Sequence, residues 1–174
     1  MDEKVLVAYA SKYGATREIA EKIGDVLNHA GLRVDVQPVE SVRDIYTYQA
    51  VILGAAVYIG KWPKEAVKFL QAHEKTLASR PVWLFSSGPT GEGDPMQLLE
   101  GWHLPEDVKP VVSRIHPKGI TVFHGYINPE KVNFIEAWAV KNLVKKPMGD
   151  FRDWKAITDW ATRITETLRL AEHA

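Results

Sequence analysis

Val5-Leu6-Val7-Ala8-Tyr9-Ala10 runs directly into Ser11-Lys12-Tyr13-Gly14-Ala15-Thr16, and the architecture turns on this junction. The first six residues are β-prone and almost wholly apolar, as a strand buried on both faces of a parallel sheet must be. From Ala15 to Ala30, Ile19, Ala20, Ile23, Val26 and Leu27 recur at helical spacing, and Gly31 supplies a stop. A buried strand, a short glycine-bearing loop and an amphipathic helix make the first half of a strand–helix–strand unit.

The alternation continues along the chain. Leu32, Val34, Val36 and Pro38 alternate with polar residues, which suits a half-exposed outer strand. A second apolar strand runs from Ala50 to Ala56. Pro63 opens a helix carrying Ala66, Val67, Phe69, Leu70 and Leu77. A third central strand spans Pro81 to Ser86, the stretch from Gly88 to Pro105 is irregular, and Glu106 to Ile115 is helical. Gly119 to Ile127 is the last strand, and the segments Pro129 to Lys145 and Asp153 to Leu170 are the last two helices. The expected fold is α/β: a doubly wound, five-stranded parallel sheet of order 2-1-3-4-5, with an extra helix after the last strand. Residues 1–174 are expected to form one domain.

Composition narrows the function classes. Twenty-two basic residues balance twenty-two acidic ones, so nothing asks for nucleic acid as a partner. The hydrophobic share of 45% excludes disorder or a coiled coil as the main state. With no cysteine, disulfides, thiolate metal sites and cysteine nucleophiles are excluded. The longest apolar stretch, Ala50 to Ile59, is too short to span a membrane, and no secretory leader is expected from the opening residues. A cytoplasmic protein is expected. The six histidines are scattered without metal-ligand spacing, so no metal and no catalytic side chain is assigned. His124 reads as a packed or solvated histidine, and Glu92 with Asp94 as a solvated turn.

In a doubly wound sheet, ligands bind beyond the carboxyl ends of the strands where the strand order reverses. Three loops fall there. In the first, Ser11 and Thr16 offer hydroxyls, Gly14 permits a sharp turn, and the helix start behind it presents unpaired N–H groups. These make a phosphate cradle, or else only a helix cap. The second loop, Val57-Tyr58-Ile59-Gly60-Lys61-Trp62-Pro63, brackets a glycine with two aromatics. Tyr58 and Trp62 could face a planar ring, or simply cover the core. The third, Ser86-Ser87-Gly88-Pro89-Thr90-Gly91-Glu92-Gly93, is rich in small residues whose backbone N–H groups could read the polar edge of a flat ligand. Neither a Walker-type loop nor Gly-x-Gly-x-x-Gly follows the first strand, and no carboxylate ends the first or third strand as a phospho-acceptor site requires.

The Ser11-x-Tyr-Gly-x-Thr16 loop resembles the FMN phosphate loop of the flavodoxin family. Gly54-Ala-Ala-Val-Tyr-Ile-Gly60 and Phe85-Ser-Ser-Gly-Pro89 resemble the two loops that hold the isoalloxazine. The chain is most similar to the branch of flavodoxin-type, menaquinone-dependent protoporphyrinogen oxidases, which adds a helical segment after the last strand and a final helix containing Asp-Trp. Here these would be Glu130 to Lys146 and Gly149-Asp-Phe-Arg-Asp-Trp154. The resemblance implies FMN as cofactor. Ser11, Tyr13, Gly14, Ala15 and Thr16 would wrap its phosphate. Tyr58, Gly60 and Trp62 would line one side of the ring, and Ser87, Gly88 and Gly91 the other. Two function classes follow. One is an enzyme oxidising protoporphyrinogen IX or a similar planar tetrapyrrole with a quinone as acceptor. The other is an electron carrier docking to redox partner proteins. The segment from Glu130 to Lys146 carries Lys131, Lys141, Lys145 and Lys146 beside Phe134 and Trp138. It is expected to be helical and to form an interaction surface beside the flavin site, as a homodimer contact or a peripheral membrane contact, the alternative being a helix packed internally.

Overall fold

The computed structural model describes residues 4–89, 93–95, 104–127 and 149–172. Five parallel strands form the main sheet in the order β2-β1-β3-β4-β5, as the alternation of apolar runs and amphipathic helices predicts. They are β1 (Lys4–Ala10), β2 (Arg33–Pro38), β3 (Tyr48–Ala56), β4 (Val82–Ser87) and β5 (Gly119–Phe123). Helix α1 (Ala15–His29) follows β1, and α2 (Lys64–Ala72) and α3 (Glu74–Ala78) lie between β3 and β4. Helix α4 (Lys109–Ile115) precedes β5, and α5 (Trp154–Glu172) runs last.

Strand alternation sends side chains to two cores. Val5 and Val7 of β1, with Ile52, Trp83 and Phe85, meet Ile19, Ile23 and Leu27 of α1 and Ile157, Trp160 and Ile164 of α5. On the opposite face, Leu6, Ala8, Val51, Leu53 and Leu84 meet Phe69 and Leu70 of α2, Leu77 of α3 and Val112 and Ile115 of α4. Central strands buried on both faces explain why their polar residues are few and sit near the strand ends: Lys4, Gln49, Ser86 and Ser87.

One aromatic cluster fixes the α5 side. Phe85, Phe123 and Trp160 pack with centroids 5.5–6.0 Å apart in tilted and edge-to-face geometries. The Phe85 ring fills the space above Gly54, where a Cβ would stand 1.9 Å from its Cζ. At the outer edge, the Tyr48 hydroxyl donates to Asp35 Oδ2 at 2.7 Å and ties the start of β3 to β2. Burial, reinforced by that carboxylate, pushes the phenol up to about 12.

Several boundaries differ from the periodicity. The helix expected from Pro63 through Leu77 is two helices, broken at His73, whose ring packs on Phe69 at 4.7 Å. β3 starts at Tyr48, two residues before the apolar run, because Tyr48 is pinned by Asp35. α4 is confined to Lys109–Ile115, with residues 106–108 forming a turn before it. The last strand does not continue to Ile127. β5 stops at Phe123, and Tyr126–Ile127 (β6) instead pairs antiparallel with Gly149–Asp150 (β7). The chain leaves the ladder at Gly125, where any Cβ would stand 2.9 Å from the Gly88 backbone. The segment from Glu130 to Lys146, expected to form the extra helix, lies outside the described residues.

Arg152 pins the small β6–β7 ribbon to the main body. Its side chain is only 5% exposed, it holds Asp150 bidentately at 2.9 and 2.7 Å, and it reaches Glu18 at 3.2 Å and the Ala15 carbonyl at 3.4 Å. The guanidinium also sits 5.1 Å from the Tyr126 ring and 4.8 Å from the Trp154 ring. Hydrogen bonding from Arg152 holds the Asp150 carboxyl below its ordinary value of 3.8.

Two outcomes are expected. Because Phe85 is fully buried and cannot yield, Gly54→Ala should destabilise the fold by about 2–3 kcal/mol, read as a lower urea midpoint; an unchanged midpoint would refute the packing argument. A depressed native carboxyl contributes stability above its unfolded value and loses it as pH falls through the native one. Wild type should therefore exceed Asp150→Asn in stability at neutral pH. The gap should close as acid takes the pH below the ordinary value of 3.8. Urea melts of both proteins between neutral and acid pH check this, and a gap that widens in acid contradicts it.

Candidate functional site

The carboxyl ends of β1, β3 and β4 lie side by side, with Ala10 opposite Ala55 and Ala56 opposite Ser87. The loops leaving them therefore converge at the reversal of strand order between β1 and β3.

The first loop closes on itself. The Gly14 N–H donates to Ser11 Oγ at 3.0 Å, and Gly14 takes φ +93°, a left-handed conformation open to glycine at no steric cost. Ser11 thus shapes the turn. Gly14 itself caps α1, with no side-chain bond at the cap. The first intrahelical bond runs from the Glu18 N–H to the Gly14 carbonyl at 3.1 Å. The N–H groups of Ala15, Thr16 and Arg17 precede it and open toward the site with the positive end of the helix dipole behind them. Thr16 is buried, and its Oγ1 lies 2.7 Å from Ser87 Oγ. That hydroxyl pair joins the first and third loops across 71 positions of sequence.

The second loop is a two-residue hairpin turn. The Tyr58 N–H donates to the Lys61 carbonyl at 2.9 Å, and the Lys61 N–H returns to the Tyr58 carbonyl at 3.1 Å. Ile59 at φ +50° and Gly60 at φ +70° are its central residues, both left-handed, as a type I′ turn requires. For Ile59, β-branched, that state costs on the order of 1–2 kcal/mol. The Tyr58 ring is half-exposed, and the Lys12 ammonium lies 4.8 Å from its centroid and 5.3 Å from that of Tyr13. Lys12 thereby bridges the first two loops. Trp62 is buried among the α2-side apolar residues, and its indole N–H donates to Ser86 Oγ at 2.9 Å.

Backbone bonding also occupies part of the third loop. The Gly88 N–H donates to the Phe123 carbonyl at 3.3 Å, and the Ser87 carbonyl accepts from the Val57 N–H at 2.8 Å. His124 is buried, with Nδ1 3.2 Å from the Pro89 carbonyl and Nε2 2.6 Å from the Gly93 carbonyl. It bridges the two residues that flank the segment 90–92, a packing role in keeping with its sequence context. Gly91 lies outside the described residues. Among the described residues no group of three or more His, Cys, Asp or Glu side chains is placed to hold a metal, and no helix is long and apolar enough to cross a membrane.

Lys12, Ile59, Arg152 and His124 were not assigned to the site from sequence. Lys12 stands inside the cradle motif and could have been found there. Arg152 is two residues from both Asp150 and Trp154, but its reach to α1 is purely tertiary.

The comparisons agree with this geometry. Residues 6–153 match the flavodoxin domain. The chain is 21% identical over 171 residues to the protoporphyrinogen IX dehydrogenase [quinone] of Escherichia coli K12, covering 92% of this chain and 94% of that one. Among solved structures it is similar to a flavodoxin from the domain Archaea, with a TM-score of 0.60, 15% identity, and coverage of 95% and 99% of the two chains. It also resembles the rubredoxin oxygen:oxidoreductase of Desulfovibrio gigas, with a TM-score of 0.65 and 15% identity over 98% of this chain but 37% of that one. With a match over most of its length and the five-strand order of the sheet, the chain belongs to the flavodoxin domain family.

Proposed function

We propose that the protein binds FMN noncovalently and works as a flavoprotein oxidoreductase. In this role it oxidises protoporphyrinogen IX or a similar planar substrate and passes the electrons to a quinone. The observation that carries the FMN assignment is the cradle: a left-handed Gly14, open N–H groups at the start of α1, and the buried Thr16–Ser87 hydroxyl pair beside them. These donors suit a phosphate, and no acidic residue lies between Ser11 and Arg17 to repel one. The substrate class is supported by similarity to the Escherichia coli dehydrogenase over nearly the full length of both chains.

When bound, FMN supplies the electron transfer itself. The chain's residues do the rest. The N–H groups of Ala15 to Arg17 and the Thr16 hydroxyl hold the phosphate. Tyr58, half-exposed, offers an aromatic face to the ring, and the turn at Gly60 leaves the backbone free to approach it. By the sequence resemblance, Ser87, Gly88 and Gly91 would line the other side of the ring. An electron carrier that docks to redox proteins is the alternative, supported by the likeness to the archaeal flavodoxin. Contact with a second copy or with an anionic membrane through the segment from Glu130 to Lys146 belongs to the same proposal, as does a cytoplasmic location. Sedimentation equilibrium and vesicle co-sedimentation separate these contacts.

Titration of the apoprotein tests the cradle. FMN should bind much more tightly than riboflavin, and Thr16→Ala should weaken FMN by about 10–150-fold through loss of a charge-assisted hydrogen bond. Equal affinities for the two flavins would refute phosphate recognition. Anaerobic mixing with protoporphyrinogen IX then separates the two function classes: an enzyme's flavin bleaches, a carrier's stays oxidised.

A further inference from the structure

His124 directly follows β5 and has both ring nitrogens against main-chain oxygens. Nδ1 lies 3.2 Å from the Pro89 carbonyl, and Nε2 lies 2.6 Å from the Gly93 carbonyl. A carbonyl oxygen only accepts hydrogen bonds, so each contact needs a proton on the nitrogen. A neutral imidazole carries one N–H, and its other nitrogen would turn a lone pair toward a carbonyl. Only the imidazolium, with an N–H on each nitrogen, satisfies both contacts.

Neighbouring charges allow that cation. A cavity of about 440 Å³ opens beside the ring. Among the described residues its charged lining is Asp94 together with Asp153, Asp159 and Arg163, from α5 and the residue before it. Lys155 pairs with Asp159 at 2.7 Å. Three carboxylates against two cations do not repel a positive ring.

The two oxygens belong to opposite flanks of the third loop. The Pro89 carbonyl is held from a second side by the Gly125 N–H at 2.9 Å, so its position is fixed. The Nδ1 contact is the longer of the two, and its proton is the one lost first. A ring without that proton is pushed away from the Pro89 oxygen and carries the Gly93 carbonyl, bonded to Nε2, with it.

We propose that His124 is a positioning residue for the flavin ring. As an imidazolium it clamps both flanks of the third loop, and on losing one proton it shifts the Gly93 flank. The inference rests on the flavoprotein reading above, in which Ser87 and Gly88, beside Pro89, line the ring.

The test uses the full chain and riboflavin, which lacks the phosphate and so keeps phosphate ionisation out of the pH profile. Flavin binds the clamped form, and that form holds the extra proton. Wild-type affinity for riboflavin should therefore be highest in acid and fall about tenfold as pH rises through the ordinary histidine range, about 5 to 8. This arm needs no variant. His124→Gln has no titrating ring and a single amide nitrogen to donate. At the acid end it should bind riboflavin about tenfold more weakly than wild type, and it should show no such slope. FMN at a fixed pH should weaken in the variant by the same factor as riboflavin, because the third loop meets the ring and not the phosphate. A thermal melt shows that the variant folds. In the two apoproteins at one pH, hydrogen exchange in the peptide covering residues 86–95 should be faster in His124→Gln. A flat wild-type profile, a slope that survives in His124→Gln, a loss confined to FMN, or unchanged exchange each overturns the proposal. Failure of the wild type to take up either flavin would instead overturn the flavoprotein reading, while the exchange comparison still reports on the clamp.

Discussion

The contact between Phe85 and Gly54 governs how the two ends of the molecule meet. Only a residue without a Cβ leaves room for that ring on the neighbouring strand. Once seated there, Phe85 forms a platform with Phe123, and Trp160 closes over both. Trp160 brings the first turns of α5 onto the sheet, and the residues just before α5 carry Arg152 to the start of α1. An apolar contact in mid-sheet is in this way linked, through aromatic packing and one buried guanidinium, to the helix start that forms the phosphate cradle. The link is short because α1 and α5 share one face of the sheet.

Much of this was legible in the sequence, and the exceptions have physical causes. Strand order and the two-layer core follow from apolar runs at β1, β3 and β4 and helical spacing in α1 and α5, because parallel strands buried on both faces tolerate few polar residues. The break at His73 was not legible, since Ala66, Phe69, Leu70 and Leu77 keep their spacing across it. Nor was the end of β5 at Phe123: the apolar and aromatic residues beyond it belong to a different ribbon, and the departure is caused by the Gly125 backbone lying against Gly88, a contact between segments remote in sequence.

The site shows the same division. The cradle was legible because its chemistry is local: a turn, a glycine and a helix start within six residues. The aromatic loop was legible only in part. Tyr58 and Trp62 look equivalent as written, and what separates them is that the Trp62 indole finds Ser86 on an adjacent strand while the Tyr58 ring stays in reach of Lys12. The positive φ of Ile59 is invisible in the sequence, where Gly60 alone advertises a left-handed turn.

The β6–β7 ribbon has a further consequence for how such a chain can change over time. Ile127 and Gly149 are paired partners, so the 21 residues between them leave and return at a single point on the body. Because closure entropy grows only with the logarithm of loop length, a segment rooted this way can be lengthened, shortened or exchanged at little cost to the sheet. Its root is clamped by Arg152 to the first turn of α1. Any module grafted between Ile127 and Gly149 would inherit an address beside the cradle without having to evolve one.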